Sequence, residues 1–407
     1  MAANELPLLG IHVLDLSRAL AGPYATSLLS DLGATVTKVE SIKGGDSTRG
    51  WPPYENEHSL YFDSVNRGKS SIALDFYQPE GQALLRELAL NADVVIENFR
   101  PGVMAEIGLD PVSLRAEKPS LIVASVSGFG ATGPLSQTAG LDQVAQGMSG
   151  IMSVTGEDAN NMYRVGIPIV DIYAGIFTAF GIAAALVGRE RSGDGLELST
   201  SLLEAGLAIS VFQGQRYLST GKIPTPQGNN HPVLVPYGVF ATADIPIIIA
   251  AGTDKHWRDL CALLGDPELG LDPEFATGKD RTRNREVVKA RLEKLLAARS
   301  GVDWVDALRA AGIPVGPIYN YAQAFADPQV VHLDMVQHVT RPDGSDLPLL
   351  RGPLSVGGVA TRISKAPPGL GEDTLSVLAA LGLTDEQVTG LVRAGIVSTG
   401  VAPVPRV

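Results

Sequence analysis

Asp171 is the residue whose setting could do chemistry. It stands in RVGIPIVDIYAG (164–175), where an extended Gly-Ile-Pro segment delivers it to the start of an apolar run, Ile172 to Val187. The run predicts a helix. A carboxylate at its beginning would sit at the positive end of the helix dipole, beside unpaired backbone N–H groups that keep it ionised. Two readings stay open at this point. Aspartate is a preferred N-cap, whose oxygen satisfies the first N–H groups of a helix. It is equally an ionised carboxylate available for a reaction.

Other common signatures are absent from the sequence. There is no GxxxxGK[ST] loop, no HExxH and no GxSxG, and SRALAGPYA after the first predicted strand lacks GxGxxG spacing. The six histidines have no ligand spacing, so no metal site is expected. Cys261, the one cysteine, lies in the apolar helical pattern WRDLCALLG and reads as a core thiol.

The elements that must carry these residues alternate. GIHVLDLS (10–17), TVTKVE (35–40), SIALDF (71–76), DVVIENF (93–99) and SLIVASVSGFG (120–130) read as strands, with helices after Pro23 and from Pro79 to about Asn91. That order implies a parallel sheet with ligands beyond its carboxyl ends, where Ser17, Glu40, Asn98 and Ser127 lie. Residues 172–218 are expected to be helical, broken by a turn at SGDGLE (192–197). The Gly/Pro/Asn-rich stretch 221–238 marks passage into a smaller α/β domain, with strands at 246–252 and 313–320 and helices between. The expected division is a Rossmann-like large domain (1–220), a small domain (221–330) and a C-terminal return to the large domain (331–407).

Composition sets outer limits. The 407 residues are 45% hydrophobic and 19% charged, enough for a real core. A net charge of −12 without any basic run interleaved with aromatics makes nucleic acid a poor partner. The N-terminus shows no basic-then-apolar leader, and Ile172–Val187 is shorter than the roughly 20 residues of a membrane span, so a buried core helix and a cytoplasmic setting are expected.

Over nearly its whole length the sequence resembles the family III CoA-transferases of the formyl-CoA-transferase type. The segments that carry the resemblance are GIHVLDLSRALAGPYATSLLSDLGATVTKVE, GGDSTRGW, NRGKSSIALD, DVVIENFRPGVM, VSGFGATGPL, GLDQVAQGMSGIMSVTG, RVGIPIVDIYAG, RERSGDGLELSTSLLEA, GNNHPVLVPYG, AAGIPVGPIYN and APPGLGEDT, in that order. The resemblance implies that Asp171 is a nucleophile forming an acyl anhydride and then a CoA thioester. No permanently bound cofactor is implied, and a CoA thioester is a substrate. Implied CoA-binding positions are Leu20 and Ala21; Asn66, Arg67, Gly68 and Lys69; Asn98, Phe99 and Arg100; and Ala139, Gly140, Leu141 and Asp142. Lys69 and Arg100 would meet phosphates. Asp142 matches a family acid near the nucleophile, and it also reads as a helix cap.

The chain departs from that pattern in places. Glu106 replaces an arginine, and Ala139 and Leu141 replace a lysine and a tyrosine, which leaves Lys43, Arg67 and Arg100 as candidate cations. A loop that closes over the aspartate matches Gly228, Asn229, Asn230 and His231, with two asparagines in place of glycines. The same family includes α-methylacyl-CoA racemases, in which a histidine precedes the aspartate matching Asp142. Leu141 stands there and cannot move a proton. A CoA-binding homologue without catalysis is a further alternative. The overall pattern points to succinyl-CoA as donor and a dicarboxylic acceptor, whose second carboxylate would need Arg164 or His231. An interlocked homodimer is the implied assembly.

Overall fold

The computed structural model describes residues 6–400. Its central element is a seven-stranded sheet. The six parallel strands are β1 (His12–Asp15), β2 (Thr35–Ser41), β3 (Lys69–Leu74), β4 (Val94–Glu97), β5 (Ile122–Ser127) and β6 (Glu197–Ser201), in the spatial order β3-β2-β1-β4-β5-β6. A short strand, Val397–Ser398, closes the β3 edge in antiparallel sense. This is the doubly wound order, with its switch point between β1 and β4, so loops leaving those two strands diverge and open a crevice.

Alternate side chains of each strand supply the two faces. Leu14, Ile72, Leu74, Val95 and Val123 pack with Leu84, Leu85 and Leu88 of the helix α3 (Pro79–Asn91). Val13, Val36, Val94, Ile96 and Ile122 pack on the other side against Ala25 and Leu29 of α1 (Ala21–Asp31) and Ile182 and Leu186 of α5 (Ile169–Ser192). Both faces are covered, which is why these strands read as continuous apolar runs.

Three expectations change. The stretch 172–218 is not two helices around a turn: α5 ends at the left-handed Gly193, and β6 follows before α6 (Leu202–Ala208) and α7 (Val211–Thr220). ELSTS is weakly apolar, and its partner β5, matched from Glu197↔Val123 to Ser201↔Ser127, decides its conformation. The helix carrying Asp171 runs 24 residues, longer than the apolar run suggested and by length and composition enough to cross a membrane. It is also buried on one face only. Val170, Ala174, Thr178 and Ile182 face inward, whereas Ile176, Phe177, Phe180 and Val187 are exposed.

The chain divides into two compact units. Unit one holds residues 1–151, 164–221 and 328–407; unit two holds 152–163 and 222–327. The segment 152–163, which the sequence reading placed in the large domain, clusters with the second unit because Gly156 O accepts the Gly228 N–H at 2.9 Å. Unit two is built on the antiparallel strands β7 (Tyr237–Phe240), β8 (Ile247–Ala250) and β9 (Val315–Pro317). Its core holds Trp257, Cys261, Leu292 and Trp304. Cys261 is the core thiol its sequence context suggests, and burial pushes it up to about 12.

Candidate active site

Asp171 is not the N-cap of its helix. The cap is Pro168, which has no side-chain donor or acceptor to offer, and Asp171 lies in the first turn. Asp142, the first residue of α4 (Asp142–Met148), fills the capping role from outside: its Oδ1 accepts the Val170 N–H at 2.9 Å and the Asp171 N–H at 3.3 Å. The Asp171 carboxylate therefore has no capping duty, and among the described residues no hydrogen bond to it is formed. Burial first, and then the Asp142 charge, push its carboxyl up to about 7. A carboxylate titrating near neutrality is ionised in part at working pH and more basic than an ordinary aspartate, properties that suit a nucleophile.

Close backbone approaches fix this geometry. A Cβ on Gly175, one turn below Asp171, would stand 2.6 Å from Ala21 O, so only glycine lets α5 lie against the start of α1. This puts Leu20 and Ala21, both buried, beside the nucleophile's helix, with Ala19 at φ 64° turning the chain out of β1. On the other side a Cβ on Gly140 would come within 2.5 Å of Gly128 Cα. That contact seats the 139–142 stretch on the loop beyond β5. Ala139 and Leu141 are exposed and bring no polar side chain.

The predicted cations are distributed differently. Lys69 is fully buried, with Nζ 3.0 Å from Asp15 Oδ2, 2.8 Å from Asn66 Oδ1 and 2.9 Å from Pro23 O. Burial, only partly offset by Asp15, lowers its ammonium to about 8. Arg67 is also buried and holds Asp31 at 2.6 Å. Gly68 has φ 75° and packs on Ser30. The whole segment 66–69 is scaffolding beneath the site, and neither cation can reach a phosphate. These two cations were expected to meet the CoA phosphates, but each has a buried carboxylate partner that the linear sequence does not display.

Asn98 bridges the two loops of the switch point, accepting the Arg18 N–H at 2.8 Å and donating to Arg18 O at 2.7 Å. Arg100 and Lys43 are exposed. Arg18, which the sequence reading passed over, lies 5.1 Å over the Phe99 ring. Arg18, Ser41, Lys43, Tyr77 and Phe99 line a cleft of about 190 Å³ whose floor is Lys38, Glu40 and Asp46. The floor is internally neutralised. Lys38 pairs with Asp46 at 3.0 Å, and Arg49 holds Glu40 through two bonds of 2.7 Å, which keep that carboxyl at about 2 despite its burial. Tyr61 was also missed: burial first, then Asp171, Asp142 and Asp46, raise its hydroxyl, so it is within electrostatic reach of nucleophile and cleft alike. Among the described residues no group of three or more His, Cys, Asp or Glu gathers to hold a metal.

In the second unit the loop 228–231 is tied down. Gly228 and Asn230 donate their N–H groups to Gly156 O and Gln227 O, and His231 N–H bonds Tyr237 O at 2.9 Å. The His231 ring stacks on Tyr237 at 4.9 Å, and its Nδ1 accepts the Val233 and Leu234 N–H groups. Burial and Arg285 lower its pKa. Asn229 is exposed. Arg164 is exposed and donates to the Val165 carbonyl at 3.1 Å, and among the described residues it meets no carboxylate.

Comparison with known proteins agrees with this architecture. The model of CoA-transferase family III matches residues 8–374. The succinate–glutarate CoA-transferase of Agrobacterium fabrum is 40% identical over 396 residues, covering 96% of this chain and 99% of the relative. The acetyl-CoA:oxalate CoA-transferase of Acetobacter aceti is 41% identical over 331 residues, 81% of this chain and 85% of the relative. A crystal structure of a CaiB/BaiF family protein from Brucella suis superposes with a TM-score of 0.83 at 39% identity, covering 93% of this chain and all of that one. Taken with the parallel sheet and the bare, basic carboxylate of Asp171, these likenesses place the chain in CoA-transferase family III, as an enzyme that transfers CoA.

Proposed function

We propose that this enzyme moves CoA from an acyl-CoA, succinyl-CoA among the donors, to a dicarboxylic acid, with Asp171 as covalent carrier. The observation that carries the reading is the Asp171 carboxylate itself, half-buried, without a hydrogen bond among the described residues, and pushed up to about 7. An Asp171 oxygen attacks the donor thioester carbon. The C–S bond breaks, CoA leaves as thiolate, and an acyl–aspartyl anhydride remains. The thiolate then attacks the aspartyl carbonyl, releasing the donor carboxylate and leaving an aspartyl–CoA thioester. The acceptor carboxylate reverses both steps and frees Asp171. Each step exchanges one acyl bond for another, so splitting the transfer this way lowers the barrier without an external energy source.

The nucleotide end of CoA fits the cleft of Arg18, Lys43, Tyr77 and Phe99, where two cations and two aromatic rings converge. A phosphate is held by such charges, and a base stacks on such rings. Dicarboxylic substrates are supported by the relatives, which are named for succinate, glutarate and oxalate. In unit two, the His231 Nδ1 is occupied as an acceptor, so its Nε2 carries the proton and is the donor the ring offers to a carboxylate. A homodimer is the proposed assembly, supported by the number of large apolar side chains exposed on α5, α6 and α7, Phe180, Leu207, Val211, Phe212 and Leu218 among them.

The test is incubation with succinyl-CoA or acetyl-CoA and a panel of mono- and dicarboxylic acids, with hydroxylamine trapping and peptide mass spectrometry. Modification of Asp171 only in the presence of acyl-CoA, and faster turnover with dicarboxylic acceptors, are expected. Full turnover by Asp171→Ala would sink the covalent mechanism, and equal rates with monocarboxylic acids would sink the acceptor class.

A further inference from the structure

Asp142 and Gln146 lie one turn apart on α4 and face the segment that delivers Asp171. Gln146 is fully buried, an unusual place for an amide unless every polar atom is used. Its Nε2 donates to Asp142 Oδ2 at 2.6 Å and faces Ile167 O at 3.5 Å, while its Oε1 accepts the Val165 N–H at 2.9 Å. Asp142 Oδ1 holds the Val170 and Asp171 N–H groups. One short helix thus grips the chain at Val165 and again at the first turn of α5. Between the two grips runs the Gly-Ile-Pro segment, which makes no strand pairing of its own.

The grip has a chemical consequence. Free N–H groups at a helix start bind the nearest carboxylate, and an aspartate in the first turn is well placed to take them. A carboxylate so bound is a weaker nucleophile, because its lone pairs are engaged and its basicity falls. Asp142 takes those N–H groups instead. We propose that Asp142 and Gln146 are positioning residues for the transfer reaction, holding the helix start so that the Asp171 carboxylate stays unbonded and aimed at the thioester. The proposal rests on Asp171 being the covalent carrier.

The hydrogen-bond polarity of the pair provides a test. In Asp142→Asn the side-chain oxygen can still cap α5, but the new amide N–H groups then face the Gln146 Nε2, donor against donor. In Gln146→Glu two carboxylates face each other. The double variant D142N/Q146E restores the pairings with residue 142 and with Val165, the donor and acceptor of the middle bond exchanged, and gives up only the long 3.5 Å contact to Ile167 O. The experiment measures kcat and KM for acyl-CoA, together with the rate of acyl-CoA-dependent hydroxylamine modification of Asp171. Each single variant is expected to lose about 100-fold in kcat, the scale of a misplaced reacting group, with KM for acyl-CoA changed less than threefold. The double variant is expected to regain at least tenfold. Single variants with wild-type kcat, or a double variant no better than the worse single, would overturn the positioning role. If Asp171 in the wild-type enzyme is not modified at all, the covalent reading fails instead, so the two failures are told apart.

Discussion

Lys69 Nζ lies 3.0 Å from Asp15 Oδ2 with neither side chain exposed, the lysine opening β3 and the aspartate closing β1 on the far side of β2. Lys38 and the hydroxyls of Ser17 and Thr26 complete the shell around that aspartate, and together these partners outweigh its burial and hold the carboxyl far below the usual range. The pair is the floor under the loop that carries Leu20 and Ala21. Removing Lys69 takes away the hydrogen-bonded cation of a buried carboxylate and leaves only Lys38, already paired with Asp46, to offset the charge; breaking such a buried pair typically costs about 3–5 kcal/mol. Lys69→Ala is therefore expected to lower the denaturant midpoint strongly. Its CoA affinity, measured on the folded fraction, is expected to stay within about threefold, where loss of a phosphate contact would cost roughly tenfold.

The contrast between Lys69 and Arg18 shows what the sequence discloses. Alternating apolar runs announced the parallel sheet, and ordered motifs announced the family, because both are properties of contiguous residues. Whether a lysine meets a phosphate or a buried aspartate depends on which strand ends the fold brings together. Lys69 and Asp15 are 54 residues apart, and nothing local links them. Arg18 looked like one loop residue among many until the switch point placed it over Phe99. The cap of α5 was hidden in the same way, since Asp142 lies 29 residues before Asp171 and belongs to another helix. The strand β6 was hidden for a different reason: its residues have little preference, and pairing with β5 alone extends them.

Gly140 offers a test of the close approach behind the site. A Cβ there would meet Gly128 Cα at 2.5 Å, and since both partners are backbone, no side chain can swing away. Gly140→Ala must shift the 139–142 stretch and with it Asp142. The expected result is a fall in kcat of about 100-fold with circular dichroism unchanged. Gly390→Ala, at an exposed position in the helix Asp385–Arg393 where a Cβ would meet nothing within 4 Å and the backbone is not left-handed, serves as control and is expected to keep its activity.

Asp171 sets the oligomer-independent pH dependence of the first chemical step. The attacking form is the ionised one, so the rate of acyl-CoA-dependent modification is expected to rise with pH along a single-proton curve centred near 7. The same shift acts on stability with the opposite sign. Because the folded state raises this carboxyl above its ordinary 3.8, the folded enzyme holds the proton more tightly than the unfolded chain. Its contribution is fully present below about 4 and is lost as pH rises through about 7. Asp171→Asn mimics the protonated form at every pH. It is expected to be inactive yet to melt roughly 2–4 °C higher than the wild type at pH 8, and to show little difference at pH 4. A variant that melts lower at pH 8 would mean that the carboxylate is a structural cap after all.

Phe180 projects from α5 with 72% of its surface exposed, on the same helix whose inner face holds Ala174, Thr178 and Ile182 against the sheet. A helix apolar all round is normally covered all round. Leu218 and Val211 on α7 are 77% and 72% exposed and extend the apolar surface along the chain. With a second copy as the covering partner, this surface is buried in the dimer, and a charge placed in it stays unpaired. Phe180→Asp is expected to shift the sedimentation coefficient from dimer to monomer, whereas Lys294→Asp, at an exposed position of the helix Arg285–Leu296 in unit two, is expected to leave it unchanged. A wild-type enzyme that sediments as a monomer at micromolar concentration would remove the second copy as the cover of this face.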